Sequence, residues 1–350
     1  MEQLIVQGGQ RLKGEIDVQG AKNSALPILA ATLLYGGKTT LHNCPKLLDV
    51  DAAIKILKYL GCKVSQEDNG NTLFIDSTSI NQNEIPQELM HEMRSSIVFL
   101  GAIISRLNKA KMFYPGGCEL GPRPIDLHIS SLKRLGVTII EEFGCLTCEA
   151  TNGIKGSKIN LSFPSVGATE NIMLASVMAK GETIIVNAAQ EPEIVDLANY
   201  LISRGAKIRD AGKSTVIIEG VDKLESTEYR VMPDRIVVAT YLCCAGITGG
   251  NIKINNINPC DIESVLPIFE QAGCQYKLGE KSIDFVGPAI IKPVKNIRTM
   301  PYPGFPTDAQ APIMTMLTLA NGTAVFVENI FENRYKHVCE LCRMGADIKI

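Results

Sequence analysis

The chain has 350 residues, 45% hydrophobic and 21% charged, an ordinary globular composition with length enough for two domains. Its 35 basic and 37 acidic residues give a net charge of −2, which offers no basic field for nucleic acid and no acidic tail. No apolar run is long enough to span a bilayer, and the start, Met1-Glu2-Gln3-Leu4-Ile5-Val6-Gln7, lacks the basic and apolar regions of a signal peptide. The cysteines are therefore expected as free thiols in a reducing cytoplasm.

In chain order the dominant pattern is a repeat. An amphipathic helix ends at a glycine and a short strand follows: Asp51–Leu60 before Gly61, Ile125–Leu135 before Gly136, Ile194–Arg204 before Gly205, Ile262–Ala272 before Gly273, and Lys336–Met344 before Gly345. The marking glycines are 75, 69, 68 and 72 residues apart. Each stands where a left-handed helix C-cap is expected. A second helix pattern precedes each of these, over Ser24–Leu34, Arg94–Arg106, Thr169–Ala179, Arg235–Ala245 and Asp308–Ala320, and leads into a β-rich run. The unit reads as strand, helix, strand, helix, strand, strand, an α/β (α+β) class of fold. Helices such as Ile236–Ala245 are apolar nearly all round and are expected to be buried on every side.

Two helix starts carry cap signals. Asn23 is placed to cap a helix from Ser24, which sets Lys22 beside exposed N–H groups suited to phosphate. Thr307-Asp308-Ala309-Gln310 fits a capping box, with Thr307 as N-cap and Gln310 reaching back.

The segment from Tyr114 to Pro124 is a loop, because glycine and proline occupy six of its eleven positions. Cys118 sits near its middle, with Arg123 five residues on. A thiol in such a loop is a candidate for covalent or acid chemistry, or a half-buried small hydrophobe. Cys145-x-x-Cys148 and Cys339-x-x-Cys342 look like half zinc sites, but neither has a matching partner, so no metal is expected.

Gly20-Ala21-Lys22-Asn23, Pro115-Gly116-Gly117-Cys118, Gly121-Pro122-Arg123-Pro124-Ile125-Asp126-Leu127-His128, Ser165-Val166-Gly167-Ala168-Thr169, Glu191-Pro192-Glu193-Ile194-Val195-Asp196, Pro233-Asp234-Arg235-Ile236, Phe305-Pro306-Thr307-Asp308 and Phe331-Glu332-Asn333-Arg334 occur in this order. Together they resemble the enolpyruvyl transferases that act on UDP-N-acetylglucosamine, from Leu4 to Gly345. The resemblance implies an inside-out α/β barrel of two domains built from repeated βαβαββ units, residues 21–229 in one and 1–20 with 230–350 in the other, with the active site in the cleft between them. The family has six units and five are found here, so the second domain is expected to lack its last unit and to expose apolar faces.

The resemblance also implies a reaction. The enolpyruvyl group of phosphoenolpyruvate passes to the 3′-hydroxyl of UDP-N-acetylglucosamine by addition and elimination, with release of phosphate, as the committed step of peptidoglycan synthesis in the cytoplasm. No metal or redox cofactor is implied. Cys118 matches the catalytic cysteine, an acid that can also form a thioketal adduct with phosphoenolpyruvate. Lys22 and Arg123 match residues holding its phosphate and carboxylate. Arg94 matches a sugar-nucleotide contact, or is a surface arginine at a helix start; Asn23 matches a substrate contact, or is only the helix cap. Asp308 matches the base near the 3′-hydroxyl, and an acid in a first helical turn also complements the dipole.

Arg123, Pro124, Ile125, Asp126 and Leu127 match one uridine-binding segment, and Ser165, Val166 and Gly167 another, although Phe163 stands where the family often has lysine. Ile330 is expected on the sugar side. Glu332 and Arg334 match residues of the other domain, or form a surface ion pair. His128 is expected to order the Arg123 loop. The competing readings are the shikimate-pathway enolpyruvyl transferase, which would carry a Gly-Ser-Lys-Ser-like site and no Cys118 loop, and a truncated homologue that at most binds UDP-sugar.

Overall fold

The computed structural model describes residues 4–115 and 125–350, so Cys118, Arg123 and Pro124 lie outside the described residues. The chain divides into two compact units, Gly20–Met232, and Met1–Gln19 with Pro233–Ile350.

The Gly20–Met232 unit contains helices α1 (Lys22–Ala31), α2 (Leu48–Tyr59), α3 (Gln87–Glu92), α4 (Phe99–Leu107), α5 (Asp126–Arg134), α6 (Val166–Ser176) and α7 (Pro192–Ser203). Its three four-stranded sheets share one plan. In the first, Thr227–Arg230 runs parallel to Lys38–His42, which pairs antiparallel with Thr72–Asp76, itself antiparallel to Lys63–Glu67. The second orders Glu84–Ile85, Lys109–Phe113, Cys145–Glu149 and Thr138–Glu142 in the same way. The third orders Lys158–Asn160, Glu182–Val186, Thr215–Glu219 and Lys207–Arg209. The first sheet takes its parallel edge from the last strand of the unit, so the three repeats close on themselves.

Residues alternate in burial along the strands, as in Thr215–Glu219, so each sheet covers the core with one face and meets solvent with the other. The core holds α1, α4 and α6, which are buried from Ser24 to Ala31, Phe99 to Ile104 and Ala168 to Ser176. The outer helices α2, α5 and α7 end at Gly61, Gly136 and Gly205, with φ of 104°, 91° and 99°, the left-handed conformation expected of the marking glycines.

The second unit repeats the plan. Lys13–Asp17 runs parallel to Asn251–Asn255, which pairs antiparallel with Ser282–Val286, itself antiparallel to Gln275–Leu278. Asn296–Arg298 and Val325–Val327 form a further parallel pair. The helices are α8 (Arg235–Thr248), α9 (Leu266–Gln271), α10 (Gln310–Leu317) and α11 (Lys336–Arg343). The expectation that Ile236–Ala245 is buried on every side is corrected. Ile236, Val237, Thr240, Tyr241 and Cys244 are half-buried. The reason is that α8 packs on one inner helix, α10, whereas in the first unit α4 packs on both α1 and α6.

Both cap expectations are also corrected. α1 begins at Lys22, with Ala21 at the N-cap and no side-chain cap, so Asn23 lies in the first turn. Thr307 opens a 3₁₀ turn, Thr307–Ala309; its hydroxyl donates to Glu328 Oε2 at 3.0 Å and caps no helix N–H. Helix α10 starts only at Gln310.

The carboxyl end of α1 is held by a buried cation. Arg204 is 1% exposed and donates to the carbonyls of Ala31, Leu34, Gly36 and Glu225 at 2.9, 3.1, 2.8 and 2.9 Å. Arg106 donates to the carbonyl of Leu33 at 2.9 Å. Water cannot replace these donors, and both cations complement the negative end of the helix. Arg204→Met is therefore expected to lower unfolding free energy by about 3 kcal/mol or more, read by urea denaturation, because it strands buried carbonyls without donors.

Candidate functional site

Lys22 occupies the first position of α1, half-exposed, and its ammonium lies 3.2 Å from Asp49 Oδ2 near the start of α2. Asn23, next to it, is exposed. The opposite charge on Asp49 keeps Lys22 near the helix mouth, where the peptide N–H groups of the first turn also face out. Arg94 begins a 3₁₀ turn, Arg94–Val98, that leads directly into α4 and packs against α1.

The two segments expected at the nucleotide start helices. Ile125 precedes α5, and Asp126 and Leu127 form its first turn. Ser165 caps α6, its hydroxyl accepting from Ala168 N at 3.3 Å, and Val166 and Gly167 follow. One histidine joins them. His128 is buried, and its Nδ1 lies 2.7 Å from Asn171 Nδ2. The Asn171 amide also donates to the carbonyl of Ile97 at 2.9 Å, and its oxygen accepts from Gly101 N at 2.7 Å. Since the amide nitrogen is a donor, Nδ1 accepts, and the ring proton sits on Nε2. A methyl group at Gly167 would lie 3.2 Å from His128 Cε1, so glycine lets the start of α6 close on the ring. His128 thus brings together Ile125–Leu127, Ser165–Gly167 and the turn that begins with Arg94. The part expected of it, ordering the Arg123 loop, concerns residues outside those described.

Two acidic features of this unit were not legible as such in the sequence. Glu170, buried on α6, has its carboxyl pushed well above the usual range by burial, then by Glu193 and Glu191. Asp196 on α7 is buried beside α1. Their one sequence signal is an acid inside an otherwise apolar helical face. Phe163 is exposed close to the start of α6. Of the two cysteine pairs, Cys145 and Cys148 lie on a strand and Cys339 and Cys342 are exposed on α11.

In the second unit Asp308 lies in the 3₁₀ turn before α10, not in the first turn of the helix itself. Its carboxylate pairs with Arg334 at 2.9 Å. The Arg334 side chain is only 12% exposed and its guanidinium lies 5.7 Å from the centroid of the Phe331 ring. The alternative of a surface ion pair between Glu332 and Arg334 is corrected: Glu332 is exposed, and Arg334 turns to Asp308. Glu328, not singled out in the sequence, holds the chain beneath Ile330. Its Oε1 accepts from Ile330 N and Phe331 N at 2.8 and 3.1 Å, and its Oε2 accepts from Thr307. Ile330 is half-buried. Asp308, Ile330 and Arg334 are thus tied together by Glu328 and one ion pair.

Burial pulls the His128 pKa below the usual imidazole value, down to about 4. In the unfolded chain the ring protonates near pH 6.5. Between these values the unfolded state binds more protons, so stability falls as pH falls. His128→Gln is expected to flatten the acid-side loss between pH 6.5 and 4 by up to about 3 kcal/mol, read from urea unfolding at several pH values.

Comparison with known proteins places this geometry. Residues 6–350 match the family model described as EPSP synthase (3-phosphoshikimate 1-carboxyvinyltransferase). UDP-N-acetylglucosamine 1-carboxyvinyltransferase 2 of Caldanaerobacter subterraneus subsp. tengcongensis is 49% identical over 350 residues, covering 100% of this chain and 83% of that protein. The corresponding protein 1 of Carboxydothermus hydrogenoformans is 47% identical, covering 100% of this chain and 82% of its own length. Among solved structures, the enolpyruvyl transferase NikO from Streptomyces tendae superposes with a TM-score of 0.87 at 21% identity, over 98% of this chain and 81% of that one. EPSP synthase from Acinetobacter baumannii superposes at 0.69 with 20% identity, over 92% and 75%. The two structures share the fold, and identity close to one half over the full chain with the first two proteins is the narrower relation. The chain belongs to the UDP-N-acetylglucosamine 1-carboxyvinyltransferase family, within the larger group of enolpyruvyl transferases.

Proposed function

We infer that this transferase moves the enolpyruvyl group of phosphoenolpyruvate to the 3′-hydroxyl of UDP-N-acetylglucosamine. The observation that carries the reading is the 49% identity, over the whole chain, to a protein named for that activity. In addition, the 3′-oxygen bonds to C2 of phosphoenolpyruvate while a proton is added to C3, giving a tetrahedral intermediate with a methyl group. In elimination, the C2–O bond to phosphate breaks, a methyl proton leaves, and the vinyl ether forms. Atoms balance with phosphate as the only leaving group, so the chemistry calls for no metal or redox cofactor.

Each role has a residue. Cys118 is the acid at C3, since a thiol of ordinary pKa is mostly protonated at neutral pH, and it can hold a covalent adduct of the donor. Asp308 takes the proton of the 3′-hydroxyl, and its pairing with Arg334 supports a carboxylate held in one orientation. Lys22 and Arg123 hold the donor's negative groups, with Asn23 beside them. Arg94, Pro124, Ile125, Asp126, Leu127, Ser165, Val166 and Gly167 take the nucleotide, and Ile330 the sugar. Glu332 and His128 support these contacts.

The product places the protein at the start of peptidoglycan synthesis, in the cytoplasm where both substrates occur. No helix of the described residues is long and apolar enough to cross a membrane.

Phosphate release should be measured with phosphoenolpyruvate and either UDP-N-acetylglucosamine or shikimate 3-phosphate. Release is expected with the sugar nucleotide alone, and release with shikimate 3-phosphate alone overturns the reading. Cys118→Ser and Asp308→Asn are each expected to lower kcat at least about 100-fold, the scale of a lost general acid or base.

A further inference from the structure

Asp196 on α7 reaches the first turn of α1. Its side chain is buried and takes hydrogen bonds from three directions. Ser24 Oγ, in the first turn of α1, donates to Oδ2. Met232 N donates to the same oxygen at 3.2 Å, and Tyr229 OH donates to Oδ1 at 2.6 Å. Met232 in turn accepts from Ala21 N at 2.7 Å. Ala21 caps α1 and Met232 ends the unit, so the segments by which the chain enters and leaves it are hydrogen-bonded at the helix mouth. Asn43 adds a second tie on the leaving segment, donating to the carbonyl of Val231 at 2.9 Å. Gly20 allows the close fit, because a methyl group there would lie 1.7 Å from the Asn43 carbonyl oxygen.

The geometry points to Asp196 as a positioning residue for phosphoenolpyruvate: its buried carboxylate locks the first turn of α1, and with it Lys22 and Asn23, to the leaving segment at Met232. A carboxylate is required by the donor set. All three groups facing it bring hydrogens, and a carboxylate offers only acceptors. An amide would place its own N–H groups against a donor and push that partner away. Displacing either Ser24 or Met232 moves the turn that carries Lys22, while the Ile125–Leu127 and Ser165–Gly167 segments are held separately through His128 and Asn171. The effect should therefore fall on the donor substrate and spare the nucleotide. The inference rests on the reading of Lys22 as a phosphoenolpyruvate ligand.

The test compares the wild-type chain with Asp196→Asn and with Ser24→Ala, which removes one hydrogen bond and keeps the charge. Asp196→Asn is expected to raise KM for phosphoenolpyruvate about 10-fold, with KM for UDP-N-acetylglucosamine unchanged and kcat changed less than about threefold. Ser24→Ala should raise the same KM about threefold, and the double variant should be no worse than Asp196→Asn, because the two residues act as one contact. Should Asp196→Asn fail to fold, the Ser24→Ala result stands alone.

Titration calorimetry with phosphoenolpyruvate gives a second readout that needs no turnover, with Kd expected to rise in step. A lowered Tm with unchanged KM and Kd for phosphoenolpyruvate in the folded variants shows a purely structural role and overturns the assignment. An equal rise in both KM values overturns it as well. A wild-type chain that turns over with unchanged variants sinks only the Asp196 assignment. A wild-type chain that neither turns over nor binds phosphoenolpyruvate sinks the functional reading, and this assignment with it.

Discussion

The polar end groups of a core helix need partners, and in the Gly20–Met232 unit α7 meets α1 at both ends, while Arg106 of α4 adds a donor at the carboxyl end. Asp196 and Tyr200 on α7, and Arg204 at its end, are spaced four residues apart and so line one face. The carboxylate meets the first turn of α1 and the guanidinium meets its last carbonyls. A hydrogen-bond acceptor thus sits at the positive end of the dipole and a positive charge at the negative end. Between them Tyr200 packs edge-on against Tyr229, ring centroids 5.5 Å apart, and Tyr229 closes on Asp196. The hydrophobic burial that stabilises the three inner helices is possible only because their polar ends are met in this way.

That constraint links stability to chemistry. The mouth of α1 is also where Lys22 and Asn23 project, so the groups that satisfy the helix end set the direction of the side chains beside it. The same economy operates at α6, whose start carries a serine cap and a glycine closed against His128. A histidine kept neutral by burial is a fixed acceptor toward Asn171, and it adds no charge of its own at the start of α6. In the second unit a carboxylate does comparable work, with Glu328 accepting two backbone N–H groups below Ile330 while Arg334 orients Asp308.

The repeat was legible in the sequence because its marks are local. A glycine just after an amphipathic helix needs no distant partner to adopt a positive φ, and Gly61, Gly136, Gly205, Gly273 and Gly345 all do so. Periodicity located inner and outer helices, although α8 shows that an apolar surface is buried only as far as neighbours cover it. Caps were less legible. Asn23 and Thr307 have the right chemistry for an N-cap, but the Thr307 hydroxyl is oriented by its donation to Glu328, 21 residues away, and accepts from no helix N–H. Local pattern cannot rank a cap against such a partner.

The amino-acid sequence by itself determined the class of fold, the alternation of helix and strand, and the family with its expected site residues, since these rest on short-range spacing and on ordered motifs. Tertiary structure alone decided which polar groups meet. Arg204 finds Ala31 across 173 positions, Ser24 finds Asp196 across 172, and Asn171 finds Ile97 across 74. Those pairings follow from how the inner helices pack on one another and on α7, and packing depends on the shape of the whole core, which no window of sequence contains.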